Sequence, residues 1–203
     1  MPPSLTSTAI SDVRSIVERF ALQPVRVLSE YIRDSYPSFS ASSISGRPAV
    51  GIGANRKVFT AGYEGLQIDG FLHMLLHSGV QRLVDVRSNP VARRFGFHKS
   101  TLGRLCGLLG IDYVHVPQLG IASEERRQLN TEADYDSLFA RYEQTTLINE
   151  ETTISLVCSL VKEKPSVLVC FEADACMCHR SRLAERIALA TNLLIVHLES
   201  SHQ

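Results

Sequence analysis

At 203 residues, 44% of them hydrophobic, the chain is long enough for one α/β domain and an appendage and too short for two full domains. Lys and Arg together number 21, as do Asp and Glu, and this zero net charge excludes a protein built to coat nucleic acid or an anionic membrane, a local basic patch aside. No apolar run approaches the roughly 18–20 residues that cross a bilayer, and Met1-Pro2-Pro3-Ser4 has neither the basic start nor the apolar stretch of a secretory leader.

Residues 1–35 read as helical, with Ile10, Val13, Ile16, Val17 and Phe20 at helical spacing and Ser11 and Asp12 as capping groups. Pro24 breaks the run, and a second short helix is predicted over 25–31. Ser, Gly, Pro and Ala dominate from 37 to 54, the composition of a linker or a loosely held loop. Residues 1–55 are thus predicted to be a helical N-terminal extension with a Ser/Gly/Pro-rich linker. It is too small to hold a core, and its helices offer a surface on which two copies of the chain would pair.

From residue 57 strand and helix alternate. A short strand over 58–61 meets a turn at Gly62, and a helix through Phe71, Leu72, Leu75 and Leu76 stops near Gly79. A second strand over 82–86, a helix over 100–109 stopped by Gly110, and a third strand over 113–116 follow. After a polar connection over 124–128, helical material runs over 135–162 with a break near Asn149. The most apolar strand, 167–171, leads into a helix over 179–190, and 193–198 closes the chain. This alternation predicts that 56–203 is a single α/β domain: a Rossmann-like, mostly parallel sheet of about five strands with helices on both faces. Ligands of such sheets bind beyond the carboxyl ends of the strands.

The unusual polar residues cluster at those ends. Asp85 and Arg87 close the second strand, with Arg93, Arg94, His98 and Lys99 just beyond. Either Asp85 and Arg87 form a structural pair, or Arg87 and Arg94 present their planar forks to a phosphate or carboxylate. Tyr63 and Glu64 add polar groups after the first strand. His115 alternates with the apolar residues of the third strand, as either a satisfied structural histidine or a proton carrier.

After the fourth strand come Glu172, Asp174, Cys176, Cys178, His179 and Arg180, followed at once by a helix. Free N–H groups at a helix start attract anions and lower the pKa of a nearby thiol. Cys178 beside His179 and Arg180 therefore reads as a nucleophilic thiolate in an anion-binding turn, or as a packed, inert cysteine. The five cysteines are an odd number without a disulfide-scaffold spacing, which predicts reduced thiols and a cytoplasmic protein. Cys176, Cys178 and His179 have no second Cys/His pair at zinc-finger distance, so no metal is expected, and no motif names a cofactor. Cys176 to Arg182 matches the Cys-x5-Arg loop of thiol phosphatases only in outline, because Met177, His179 and Arg180 crowd it. Tyr135, Phe139 and Tyr142 share one helical face, as packing residues.

Taken in order, these segments resemble the domain-of-unknown-function family 488. They are Thr60-x-Gly62-Tyr63, then Leu83-Val84-Asp85-Val86-Arg87-Ser88-x-Pro90 with Arg94-x-x-Phe97. Tyr113-x-His115-x-Pro117-x-Leu119-Gly120 follows, and Leu168-Val169-Cys170-x-Glu172 with Cys178-His179-Arg180-Ser181 completes the series. The resemblance covers about residues 57–198 and implies a Rossmann-like α/β layer without an established activity. The order of motifs is also similar to that of rhodanese-like sulfurtransferases and related cell-cycle phosphatases, in which a strand-end cysteine carries sulfur or phosphate. That similarity implies such a role for Cys170 or Cys178, although 171–177 replaces the compact loop of those proteins.

The expected function is a composite site for a phosphate, a nucleotide or a nucleic-acid end. Arg87, Arg94 and Arg180 would hold the anion, with Asp85 and Tyr63 completing the site. Cys178 would be the nucleophile, and His115, His179 or Glu172 would move protons. The alternatives are a non-catalytic module that grips a nucleotide or nucleic acid, and a rhodanese-like sulfurtransferase. An anionic small molecule or nucleic acid is the expected partner, and a membrane is not.

Overall fold

The structure, a computed structural model, describes residues 57–199 except Arg93, Arg127, Gln128 and Asn130, together with scattered positions between 11 and 31. Those scattered positions include helical Glu18, Arg19, Phe20 and Tyr31, and the rings of Phe20 and Tyr31 lie 4.8 Å apart. The predicted linker over 37–54 and most of the surface expected to pair two copies lie outside the described residues.

Five strands pair in parallel in the order β3-β2-β4-β1-β5: β1 (Lys57–Gly62), β2 (Arg82–Asp85), β3 (Asp112–His115), β4 (Ser166–Cys170) and β5 (Leu194–Leu198). Helix α1 (Ile68–His77) links β1 to β2 and α2 (Lys99–Leu108) links β2 to β3. Three helices, α3 (Glu132–Gln144), α4 (Thr146–Asn149) and α5 (Glu151–Glu163), precede β4, and α6 (His179–Thr191) precedes β5. The α/β alternation read from the sequence is the architecture of the chain.

Central β4 is buried along its whole length, and its side chains alternate between two cores. Val167 and Val169 pack against α1 and α2, while Leu168 and Cys170 face the layer of α3 to α6. Burial on both faces explains why this strand is the most continuously apolar run in the sequence. Helix α3 starts earlier than expected, at Glu132, because Thr131 and Asp134 form a capping box. Such a cap is worth about 1 kcal/mol and extends a helix beyond its apolar pattern. The expected break near Asn149 is the short α4, bounded by Thr145 and Glu150.

Adjacent strands β1 and β4 send the chain to opposite faces, β1 into α1 and β4 into α6. A crevice opens where such connections diverge. Register brings Gly62 opposite Cys170 and Asp85 opposite both Val169 and His115, so the polar residues that follow each strand meet at one edge. The loops there are tightly joined: the N–H groups of Tyr63 and Glu64 donate to the Phe171 carbonyl at 3.1 and 2.8 Å. Gly62 ends β1, and a Cβ on it would lie 1.8 Å from the Glu172 carbonyl oxygen. Its glycine is thus required by close approach rather than by a turn. Gly120 has the same role against the Ser88 backbone, where a Cβ would fall 2.2 Å from the amide nitrogen. Among the described residues no helix is long and apolar enough to cross a membrane.

Candidate functional site

A cavity of about 740 Å³ lies at the carboxyl edge. Tyr63, Tyr135, Phe139 and Phe171 give it apolar walls, Arg87, Arg94 and Arg126 line it with cations, and Glu172, Cys178 and His179 bring acid, thiol and imidazole. It therefore draws on the loops after β1, β2, β3 and β4, as well as α3 and the first residue of α6.

Below the cationic side, Asp85 is fully buried and Arg87 is 4% exposed. Arg87 Nε donates to Asp85 Oδ1 at 2.8 Å and Nη2 donates to Oδ2 at 2.5 Å. The Arg87 backbone N–H and the Tyr113 hydroxyl also donate to this carboxylate, at 3.2 and 2.5 Å. Arg87 Nη1 then donates to Tyr63 Oη at 2.8 Å and to the Phe97 carbonyl at 2.9 Å. Burial alone would depress Arg87, but the hydrogen bonds and charge of Asp85 outweigh it and hold the guanidinium above its ordinary value. The same burial, with Asp85 nearby, pushes the Tyr113 hydroxyl up and the Cys106 thiol up to about 12. Tyr63 stacks on Phe97 at 4.2 Å, which fixes the phenol that accepts from Arg87. Arg87 thus lines the cavity with its charge already neutralised by Asp85.

The other side is made of sulfur. Cys170 ends β4, Cys178 is the N-cap of α6 and His179 is its first residue. All three are buried, and their ligating atoms lie within 4.8 Å of one another. His179 Nδ1 is 3.9 Å from each sulfur, and its Nε2 faces the Val86 carbonyl at 3.4 Å. Tyr142 meets the imidazole edge-on at 5.3 Å, while its hydroxyl donates to the Leu119 carbonyl at 2.8 Å. Cys170 Sγ lies 3.2 Å from Glu172 Oε2, and the other carboxylate oxygen accepts from Arg126 Nη1 at 2.7 Å.

The thiols divide one charge between them. A hydrogen bond from Cys178, helped by His179, draws Cys170 well below the ordinary thiol range despite its burial. Burial and the hydrogen bond to Cys170 push Cys178 well above it. Burial, with the Cys170 charge second, also raises Glu172. The depressed thiol expected from the helix start is therefore Cys170 rather than Cys178. Cys178 is only 1% exposed and is crowded by Cys170 and Glu172, whose charges outweigh the nearby Arg180.

Six of the residues singled out in the sequence border this one cavity: Tyr63, Arg87, Arg94, Glu172, Cys178 and His179. Asp85 stands behind Arg87. His115 does not border the cavity; its Nε2 donates to the Arg87 carbonyl at 2.9 Å and Lys99 Nζ lies 2.9 Å from Nδ1, so it braces the loop after β2. Arg180 is also absent from the wall. Its Nη1 donates to the Glu172 carbonyl and Nη2 to the Ala173 carbonyl at 2.9 Å, which ties the β4 loop to α6. Arg126 was not singled out by sequence, since nothing local marks a cation in a polar loop as facing a glutamate 46 residues away. Arg94 has no ion-pair partner among the described residues. Tyr135 and Phe139, expected as packing, also form cavity wall.

A three-layer domain with an all-parallel sheet and a thiol-bearing cavity at its carboxyl edge is the class that fold and site define. The family described as Domain of unknown function DUF488 matches residues 67–187, more than half of the chain, and the chain belongs to that family. The matched span includes the Asp85–Arg87 pair and the Cys170–Arg180 segment, while Tyr63, β1 and β5 fall outside it. No curated protein and no solved structure matches the chain.

Proposed function

We propose that the chain is an enzyme for a phosphorylated or otherwise anionic ligand of nucleotide size, with thiol chemistry at the floor of the cavity. The observation that carries this reading is the cavity itself, which unites cationic side chains, aromatic walls and an acid–thiol–imidazole group. Its volume falls within the roughly 300–1,000 Å³ of small-molecule sites. Arg94, which has no ion-pair partner among the described residues, grips the anion, with Arg126 beside it on the same wall although paired with Glu172 at 2.7 Å. The Arg87 charge is matched by fully buried Asp85, and Arg180 is committed to backbone carbonyls. Tyr135 and Phe139 offer faces to a flat ring.

Cys178 is the sulfur presented to the ligand. His179 Nδ1, 3.9 Å from Cys178 Sγ and with Nε2 turned to the Val86 carbonyl, is the group that takes the Cys178 proton, while Cys170 lies behind with Glu172 at 3.2 Å. His179 Nδ1 faces both sulfurs and polarises them. The thiols work in reduced form, as the cytoplasm keeps them. Sulfur transfer of the rhodanese kind is less well served, since the strand-end Cys170 is fully enclosed.

The test is titration of the full chain with nucleoside monophosphates and inorganic phosphate, followed by calorimetry and thermal shift. At least one is expected to bind, and Arg94→Ala or Arg126→Ala to weaken it about tenfold or more through loss of a charge-assisted hydrogen bond. Cys178→Ser retains that binding and loses turnover of the bound compound. Absence of binding at millimolar concentration, or arginine variants that bind like the wild type, would overturn the proposal. A ligand that binds but is recovered unchanged favours the second reading, a binding module, for which the 1% exposure of Cys178 is the supporting observation.

A further inference from the structure

The three buried groups at the cavity floor have a geometry that hydrogen bonding alone does not explain. His179 is 2% exposed, and on its Nδ1 side the hydrogen-bond partners are two sulfurs, each at a long 3.9 Å. The imidazole is nonetheless held firmly: Nε2 faces the Val86 carbonyl and the Tyr142 ring packs edge-on against it. Metal-bound histidines are held in this way, with one nitrogen toward the ligand cluster and the other N–H given to a carbonyl.

We propose that Cys170, Cys178 and His179 form a three-ligand site for a thiophilic divalent metal, with zinc the best match, and that its fourth coordination position opens to the cavity. Zn–S bonds of about 2.3 Å and Zn–N bonds of about 2.0–2.1 Å in a tetrahedron put sulfur about 3.8 Å from sulfur and about 3.5 Å from nitrogen. The observed sulfur–nitrogen distances of 3.9 Å close to those values with a shift of a few tenths of an ångström. Two thiolates around a dication leave no net charge, which removes the penalty of a lone thiolate in a dry interior. Cys178 and His179 border the cavity while Cys170 lies beneath, so the ligands come from the inner side and leave the cavity side open. Two Cys and one His with an open position is a catalytic donor set, in contrast to the closed four-ligand sets of structural zinc.

Sequence spacing had grouped Cys176 with Cys178 and His179, yet Cys176 is exposed and outside the cluster. The third ligand comes from the end of β4, brought next to the start of α6 by the fold. The inference goes beyond the proposed function and rests on it only in taking the open position as the one the anion meets. Metal would hold Cys178 as a ligand, so metal-loaded and freely nucleophilic states exclude one another at that sulfur.

The experiment uses the full, reduced chain stripped with EDTA and titrated with Co²⁺ alone, with no anion present. A thiolate-to-cobalt charge-transfer band in the near ultraviolet, saturating at one equivalent and bleached by Zn²⁺, is expected. Cys170→Ser and Cys178→Ser each weaken the binding at least tenfold, while Cys176→Ser leaves it unchanged. A wild-type measurement guards against variants that fail to fold: one equivalent of Zn²⁺ protects Cys170 and Cys178 from iodoacetamide, mapped by mass spectrometry, and leaves Cys176 labelling as before. Absence of the band, a band that survives both substitutions, or unprotected Cys178 would overturn the site. None of those outcomes touches anion binding by Arg94 and Arg126, so the two proposals fail separately.

Discussion

Two buried polar corners sit side by side at the carboxyl edge of the sheet, and they are built in opposite ways. Around Asp85 and Arg87 the hydrogen bonds run from 2.5 to 3.2 Å, with Tyr63, Tyr113 and the Phe97 carbonyl closing the remaining valences. Around Cys170, Cys178 and His179 the two sulfur–imidazole contacts are 3.9 Å, and one side of the group opens to the cavity. A buried charge whose partners are all supplied by the protein has little left to give a ligand, whereas long, incomplete contacts leave capacity for one. The first corner braces the loops; the second borders the cavity with looser contacts.

The comparison breaks most visibly at Asp85. Asp85→Ala strands the Arg87 guanidinium and the Tyr113 hydroxyl, and is expected to cost about 3–5 kcal/mol in urea unfolding at unchanged slope. An Asp85→Leu, Arg87→Met pair should recover much of that loss, because no unpaired charge is left buried. A cost below about 1 kcal/mol for Asp85→Ala, the range of an exposed ion pair, would remove the distinction between the corners.

Gly62→Ala is next, at about 1–3 kcal/mol, since its Cβ must displace the Glu172 carbonyl that it would meet at 1.8 Å. It should also change the iodoacetamide rate of Cys178, because the Glu172 backbone it moves holds the Arg180 side chain. Tyr142→Phe removes a hydroxyl that donates to the Leu119 carbonyl and is expected to cost about 1–2 kcal/mol by the same unfolding assay. If the sulfur corner is the looser one, thiol labelling in this variant will rise more than the stability loss alone accounts for.

The smallest effect lies away from both corners, at Asp112, whose carboxylate is 44% exposed beside Lys164 and Arg82. The hydrogen bond from Lys164 is the main cause that lowers its pKa. A lowered folded-state value stabilises above the unfolded pKa and loses that contribution as pH falls through the folded one. Asp112→Asn should therefore cost less than about 1 kcal/mol at neutral pH, and the difference from wild type should fade below about pH 4. A loss at Asp112 as large as that at Asp85 would show that burial is not what separates strong from weak ion pairs here.

Much of the architecture was readable along the chain. The alternation from residue 57 onward, the buried character of β4 and the start of α6 at His179 follow from period and composition, because those depend on each residue's own face. Strand and helix ends shifted by one to three residues where capping or loop pairing intervened, as at Thr131 and Phe171. Of the site, Tyr63, Arg87, Arg94, Glu172, Cys178 and His179 were legible as strand-end polar residues in an α/β chain. Arg126 was not, because its meaning lies in a partner far away in sequence.

By itself, then, the sequence determined that the chain is a parallel α/β protein and that its strand-end polar residues gather at one edge of the sheet. Tertiary structure alone decided how the charges and sulfurs are spent. It committed Arg180 to two loop carbonyls and His115 to the Arg87 backbone, and it set Cys170 rather than Cys176 beside Cys178. Periodicity tells which way a side chain points, but the partner waiting there comes from another strand or loop, and that partner decides whether a buried polar group is a brace or a site.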